Sequence, residues 1–177
     1  MPITRRQFAA AAGSVFALTV LGCGDESGPA TGSGRRKNQK LTLPDKPFTV
    51  QTPGNYKNPG VYETFRESHG IWLVSDGTQL VALSAVCTHN GCGTAYDPQA
   101  QLFVCPCHSS TFTTDGLNQP NGKAKRPLER CRIDFEQNTR DALTQVRVDP
   151  TSRFRRGIDD PIAGHDWSVL LFDEADS

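Results

Sequence analysis

An antiparallel all-β domain, built as a sandwich with a small inserted subdomain, is the fold class that this sequence predicts. Three observations lead there. Seven short segments after residue 40 are rich in β-branched and aromatic residues, the composition that suits a pleated, half-buried surface. Between them stand Ser75-Asp76-Gly77, Asn90-Gly91, Asp115-Gly116 and Asn121-Gly122, which supply positive φ or side-chain-to-backbone bonds at turns. Outside the N-terminal apolar run, no long stretch shows a 3.6-residue period. With 177 residues, 36% of them apolar and 21% charged, the chain has room for one core domain and short appendages.

The elements follow in chain order. Thr4-Arg5-Arg6-Gln7-Phe8 precedes an apolar run ending at Leu21, the pattern of a twin-arginine export signal. Residues 8–21 number only fourteen and include several small ones, whereas a bilayer-crossing helix needs about 20 apolar residues. A cleaved or lipid-modified signal over 1–23 is therefore expected. Val20-Leu21-Gly22-Cys23 resembles a bacterial lipobox, which would make a lipidated Cys23 the mature N-terminus; ordinary cleavage or a retained, marginal anchor are the alternatives. Residues 24–40 are mostly Gly, Ser, Asn, Pro and charged, a flexible tether whose coil would reach roughly 20–25 Å. A core domain spans 41–150, with strands expected at 48–51, 71–75, 79–86, 102–105, 130–136 and 143–148. The remaining residues, 151–177, form an extension with Arg153, Arg155 and Arg156, a strand-like run at 167–172 and an acidic end.

Charge excludes one class of partner. Lys plus Arg and Asp plus Glu both count 19, and loss of Arg5 and Arg6 with the signal leaves 17 against 19, so nothing points to nucleic acid.

Cys87 and His89, followed by Cys105 and His108, form a C-x-H-x15-C-x2-H pattern, with Cys92 and Cys107 inside the same two segments. Two cysteines and two histidines suit a tetrahedral zinc site. They equally suit a 2Fe-2S centre in which histidines replace two cysteines on one iron. The zinc reading leaves Cys92 and Cys107 unexplained. Cys131 has no evident partner and reads as a small buried apolar side chain; His69 and His165 lack ligand spacing, and Trp72 and Trp167 read as core.

CTHNGC at 87–92 and CPCHSS at 105–110 resemble the two signature boxes of Rieske iron-sulfur proteins, in the disulfide-containing branch found in cytochrome bc and bf complexes. GVYETFRESHGIWLV at 60–74 and LVALSAV at 80–86 are similar to bacterial members, and the resemblance covers residues 48–150. It implies a Rieske-type β-sandwich with a cluster-binding subdomain at about 85–119. It further implies one 2Fe-2S cluster held by Cys87, His89, Cys105 and His108, a disulfide between Cys92 and Cys107, and a Ser110 hydroxyl that donates to a bridging sulfide. Because each ligand imidazole keeps a second nitrogen that can titrate, reduction would couple to proton uptake at His89 or His108. Export fits a disulfide, since oxidising compartments let one persist.

Three positions depart from the family. Phe112 stands where high-potential members have a tyrosine that bonds a ligand sulfur, which implies a lower potential. Asn90 replaces the usual leucine at the exposed tip, and GKAKRPL at 122–128 puts lysine and arginine where the proline-rich loop has prolines.

The function expected is one-electron transfer by a subunit, rather than catalysis by the chain alone. The leading partner set is a cytochrome b-like subunit with its quinol as donor and a c-type cytochrome as acceptor, on the outer face of a bacterial cytoplasmic membrane. The alternative is the Rieske subunit of a molybdenum oxidoreductase of the arsenite oxidase type, beside a molybdopterin subunit, or a free-standing redox lipoprotein. An oxygenase component is disfavoured, because a mononuclear iron held by two histidines and a carboxylate has no second domain here to occupy.

Overall fold

In the computed structural model the described residues are 39–137, 144–159 and 168–171. The signal, Cys23, most of the tether, His165 and Trp167 lie outside them. Two consecutive apolar runs organise the fold: Ile71–Ser75 and Gln79–Ser84 pair as an antiparallel hairpin, with Trp72 opposite Leu83 and Leu73 opposite Ala82. Successive side chains on a strand point to opposite faces. Ile71, Leu73, Leu80 and Ala82 accordingly enter one core with Val146 and Val148, while Trp72 and Leu83 enter a second core with Phe103 and Phe112. The runs are continuously apolar because both of their faces are covered.

In chain order the strands are β1 (Phe48–Thr49), β2 (Gly60–Tyr62), β3 (Ile71–Ser75), β4 (Gln79–Ser84), β5 (Ala95–Asp97), β6 (Leu102–Val104), β7 (Thr111–Thr113), β8 (Glu129–Gln137), β9 (Thr144–Arg155) and β10 (Ser168–Leu170). The large sheet runs β1-β9-β8-β4-β3-β2, and the small one β5-β6-β7. All their pairings are antiparallel. The expected all-β fold is present, and among the described residues helix is confined to single turns at Pro53–Tyr56 and Arg66–His69. His69 closes the second of these turns, stacked at 4.0 Å on Phe48. The turn ends at Gly70, whose φ of 63° favours glycine and where a Cβ would crowd the Thr42 carbonyl at 3.1 Å.

Three strands went unread in the sequence: β2, β5 and β7 are three residues each, too short for a period of two to register. The strand expected at 143–148 instead runs to Arg155, crossing the position where the core was expected to end. Its register with β8 slips between Cys131 and Arg132, which face Arg153 and Asp149 respectively. Pro150 falls in that irregularity, where a residue without an N–H is tolerated, and the Asp149 carboxylate accepts from the Thr151 N–H and hydroxyl. β10 pairs with β4 at 79–81, next to the stretch at 82–83 that β8 takes, so it continues the line of β8 along the same edge. No helix among the described residues is long and apolar enough to cross a membrane.

Candidate metal centre

The two boxes occupy two loops of the same local design. In the first, between β4 and β5, the Cys87 N–H donates to the Cys92 carbonyl (2.8 Å) and the Gly91 N–H to the Cys87 carbonyl (2.9 Å). In the second, between β6 and β7, the Cys105 N–H donates to the Ser110 carbonyl (2.8 Å) and the Ser109 N–H to the Cys105 carbonyl (3.0 Å). Each loop is thus closed from its cysteine to the residue five on, and each has a left-handed residue at the fourth step, Gly91 at φ 73° and Ser109 at φ 56°. The glycine is explained by that φ; the serine adopts it at a steric cost of about 1–2 kcal/mol.

This design turns both cysteines inward. Cys87 and Cys105 are buried at 2% and 1% exposure, and both are free thiols. The thiols hydrogen-bond each other, and backbone N–H groups of His89 and Asn90 point at one sulfur, those of Cys107 and His108 at the other. The shared hydrogen bond divides their acidities: the Cys87 thiol donates to Cys105 and holds it below the ordinary thiol range, against burial. The same bond, then burial, pushes Cys87 up. Thiolate is what a metal requires.

His89 and His108 lie on the outside. Both are exposed, and their rings meet edge to face with centroids 4.6 Å apart. Asn90 follows at the exposed tip. The Cys92–Cys107 disulfide ties one loop to the other, as the resemblance implied. The sulfurs of Cys92, Cys105 and Cys107 also lie within 4.8 Å of one another, but two of the three are spent in the disulfide and cannot act as thiolates.

A third loop, 118–127, lies across both. A Cβ on Gly122 would stand 2.6 Å from the Ser110 Cα, so only glycine permits that approach. Next to it, the Ala124 N–H donates to the buried Ser110 Oγ at 2.9 Å, which occupies an acceptor site on the hydroxyl and leaves its proton to donate elsewhere. At the other end the Thr88 hydroxyl donates to the Arg126 carbonyl (2.7 Å) and an Arg126 N–H to the Thr88 carbonyl (3.3 Å).

Residues that the sequence reading passed over support the first loop. Buried Thr94 accepts from the Trp72 ring N–H (2.9 Å) and donates to the Ala85 carbonyl (2.9 Å), while its own carbonyl receives Arg66 (2.6 Å). No local spacing marks such a residue. From the tether side, Leu41 N–H donates to the Gly91 carbonyl, Gly93 N–H to the Gln39 carbonyl, and the Leu41 side chain covers Gly93. Phe112 is buried in the second core, and Cys131 sits in the first, away from both loops; burial pushes its thiol up to about 12.

Two buried thiols and two exposed imidazoles presented by paired loops fit a 2Fe-2S cluster with one sulfur-bound and one nitrogen-bound iron. Comparison with known proteins agrees. The family model for the Rieske [2Fe-2S] domain matches residues 45–131. The menaquinol:cytochrome c reductase iron-sulfur subunit of Bacillus subtilis is 36% identical over 85 residues, 46% of this chain and 48% of that protein. The cytochrome b6-f complex iron-sulfur subunit of Chlorobaculum tepidum is 38% identical over 66 residues, 37% of this chain and 36% of that protein. The chain thus spans at most about half the length of these curated relatives. The solved Rieske protein from the plasma membrane of Synechocystis PCC 6803 is 24% identical, over 56% of this chain and 97% of that one, with a TM-score of 0.36, too low to bear on the fold. Buried cysteines, exposed histidines, an inter-loop disulfide and the family match together make residues 45–131 a Rieske [2Fe-2S] domain, whose cofactor is one 2Fe-2S cluster.

Proposed function

We propose that Cys87 and Cys105 bind one iron of that cluster and His89 and His108 the other, and that the chain is the electron-carrying subunit of a quinol-oxidising, cytochrome bc-type complex that delivers electrons to a c-type cytochrome. The observation that carries this reading is the polarity of the site: both imidazoles lie at the surface with rings 4.6 Å apart, above two thiols that are almost wholly buried. When bound, the cluster supplies reversible one-electron chemistry at a potential that histidine ligation raises to roughly −150 to +300 mV.

The protein's own groups do the rest. Backbone N–H groups directed at both cysteine sulfurs, and the Ser110 hydroxyl held by Ala124, favour extra negative charge at the site. The disulfide and the third loop hold the two ligand loops in register, so that little needs to reorganise on electron transfer. The exposed imidazole edges are the groups that a partner's quinol pocket or haem edge would meet. Relatives named as subunits of menaquinol:cytochrome c reductase and of the cytochrome b6-f complex support the partner class. The Arg5-Arg6 motif and Cys23 support export and a lipid tether that keeps the domain at the outer membrane face.

Asn90 at the exposed tip and the basic residues at 123–126 favour a second reading, in which the same centre serves a molybdopterin subunit or works as a free redox lipoprotein. Iron and sulfide analysis with electron paramagnetic resonance of the reduced full chain tests the ligand set: His108→Ala and Cys105→Ala should each abolish the signal. A colourless, zinc-loaded protein would overturn the assignment. Purification from its host under mild detergent separates the two readings, because b-type haem should accompany the chain in the first and molybdenum in the second.

A further inference from the structure

The chain as a whole balances its charges, with 19 basic and 19 acidic side chains, but the surface around the exposed histidines does not. The three segments that build that end, 87–92, 105–110 and 118–127, contain Lys123, Lys125 and Arg126 and no aspartate or glutamate. All three cationic residues are exposed. They belong to the loop that spans from the second ligand loop, where Gly122 and Ala124 seat on Ser110, to the first, where Arg126 and Thr88 exchange two hydrogen bonds. Lys125 bonds back to the Gly122 carbonyl at 3.2 Å, which folds it over its own loop. A fourth cation joins from the tether side, since exposed Lys40 stands opposite Cys92 in a β-bridge. Two acidic groups, Asp45 and Glu129, line one cleft with Arg126 and with Thr88 and Gly91 of the first ligand loop, and Glu129 is paired with Arg153 at 3.4 Å.

Four positive charges on two segments that are hydrogen-bonded to the ligand loops make a cationic rim beside the loops that carry His89 and His108. A rim of this kind raises the encounter rate with an oppositely charged partner and orients it, with an effect that salt screens over a Debye length of about 10 Å at 0.1 M. Orientation matters here because the imidazole edges are the short path to the site. From this arrangement, and resting on the electron-transfer reading above, we infer that the rim formed by Lys40, Lys123, Lys125 and Arg126 is the docking surface for a redox protein whose haem edge is surrounded by acidic side chains. One electron passes per encounter: the reduced protein is oxidised, one ferric haem becomes ferrous, any proton taken up at an imidazole on reduction returns to solvent, and no covalent bond is formed or broken.

Stopped-flow oxidation of the reduced, cluster-loaded full chain by an acidic c-type cytochrome tests this, with a basic c-type cytochrome of matched potential as comparison. The second-order rate constant with the acidic protein should fall about tenfold or more between 10 mM and 500 mM salt, while that with the basic protein rises. K123Q/K125Q should cut the low-salt rate constant severalfold and flatten its salt dependence. Its midpoint potential and paramagnetic spectrum should stay unchanged, because Ala124, not a lysine side chain, contacts Ser110. R147Q, which removes one charge on β9 in the large sheet, should leave the rate nearly as it was. A salt-independent rate constant, or equal effects of K123Q/K125Q and R147Q, would overturn the docking surface. So would the opposite assignment of the patch, seen as loss of binding to phosphatidylglycerol vesicles in K123Q/K125Q with no change toward the acidic cytochrome. Failure of the Rieske reading is scored separately, by a missing paramagnetic signal, and calorimetric titration of the chain with the acidic cytochrome would still decide whether the rim binds it.

Discussion

Ser110 and Phe112 sit two residues apart on the second loop and first residue pair of β7, and their environments set opposite expectations for substitution. Ser110 has its acceptor side filled by Ala124, so its proton is free to stabilise negative charge at the site. A hydrogen bond to a charged group worth at least roughly 1.5 kcal/mol corresponds to roughly 65 mV for one electron. Ser110→Ala should lower the midpoint by that order in a redox titration of the loaded protein, and Phe112→Tyr, which adds a donor in the second core, should raise it. A different residue governs alkaline stability. Burial raises the Cys131 thiol from its ordinary 9.0 to about 12, so the unfolded chain ionises first. The contribution of the neutral thiol is complete below pH 9 and is lost as the pH climbs toward 12, with a loss on the order of 1 kcal/mol at pH 10. Chemical denaturation of wild type and Cys131→Ala at pH 8 and pH 10 should therefore show a smaller decline in the variant.

At the scale of elements, the ligand loops are held from three sides: by the disulfide, by the loop at 118–127, and by the residues at 39–41. The disulfide closes a separation of 15 residues, for which the chain-entropy model gives about 3 kcal/mol. Cys92→Ala/Cys107→Ala should still fold, because Cys87 and Cys105 are enclosed by the second core, but it should release iron faster to a chelator than wild type does. The tail is also part of the structure. Val169 and Leu171 are buried in the first core, and the Leu171 N–H donates to the Thr78 carbonyl. Leu171→Ala should cost about 2–3 kcal/mol, seen as a melting-temperature drop of several degrees. An unchanged melting temperature would mean that β10 is dispensable.

For the whole molecule, the proposed export signal at 1–23 and tether at 24–40 would set where the redox site works. If Cys23 carries lipid, intact-mass measurement of the mature membrane protein should show a diacylated or triacylated cysteine as its first residue, and Arg5→Lys/Arg6→Lys should leave the unprocessed chain in the cytoplasm. An unmodified N-terminus beyond Cys23 would refute lipidation. The sequence by itself determined the all-β class and the identity of the cysteines and histidines, because both are local: alternation and turn residues recur within ten positions, and the two boxes are contiguous. It also located the two hairpin strands, expected at 71–75 and 79–86 and observed at 71–75 and 79–84, with Gly70 before the first and Gly77 between them. It did not reveal β2, β5 or β7, which are shorter than any readable period and exist because neighbouring strands supply their hydrogen bonds. Nor could spacing tell which cysteines are free: Cys87 and Cys105 face each other, and Cys92 meets Cys107, only because both loops close with the same bonds and hang from adjacent sheets. The support of Ser110 by Gly122 and Ala124, the anchoring of Thr94, and the cationic rim set beside His89 and His108 were likewise decided by tertiary structure. Each joins segments many residues apart, and their proximity comes from burying the two faces of β3 and β4, a constraint that no single segment carries.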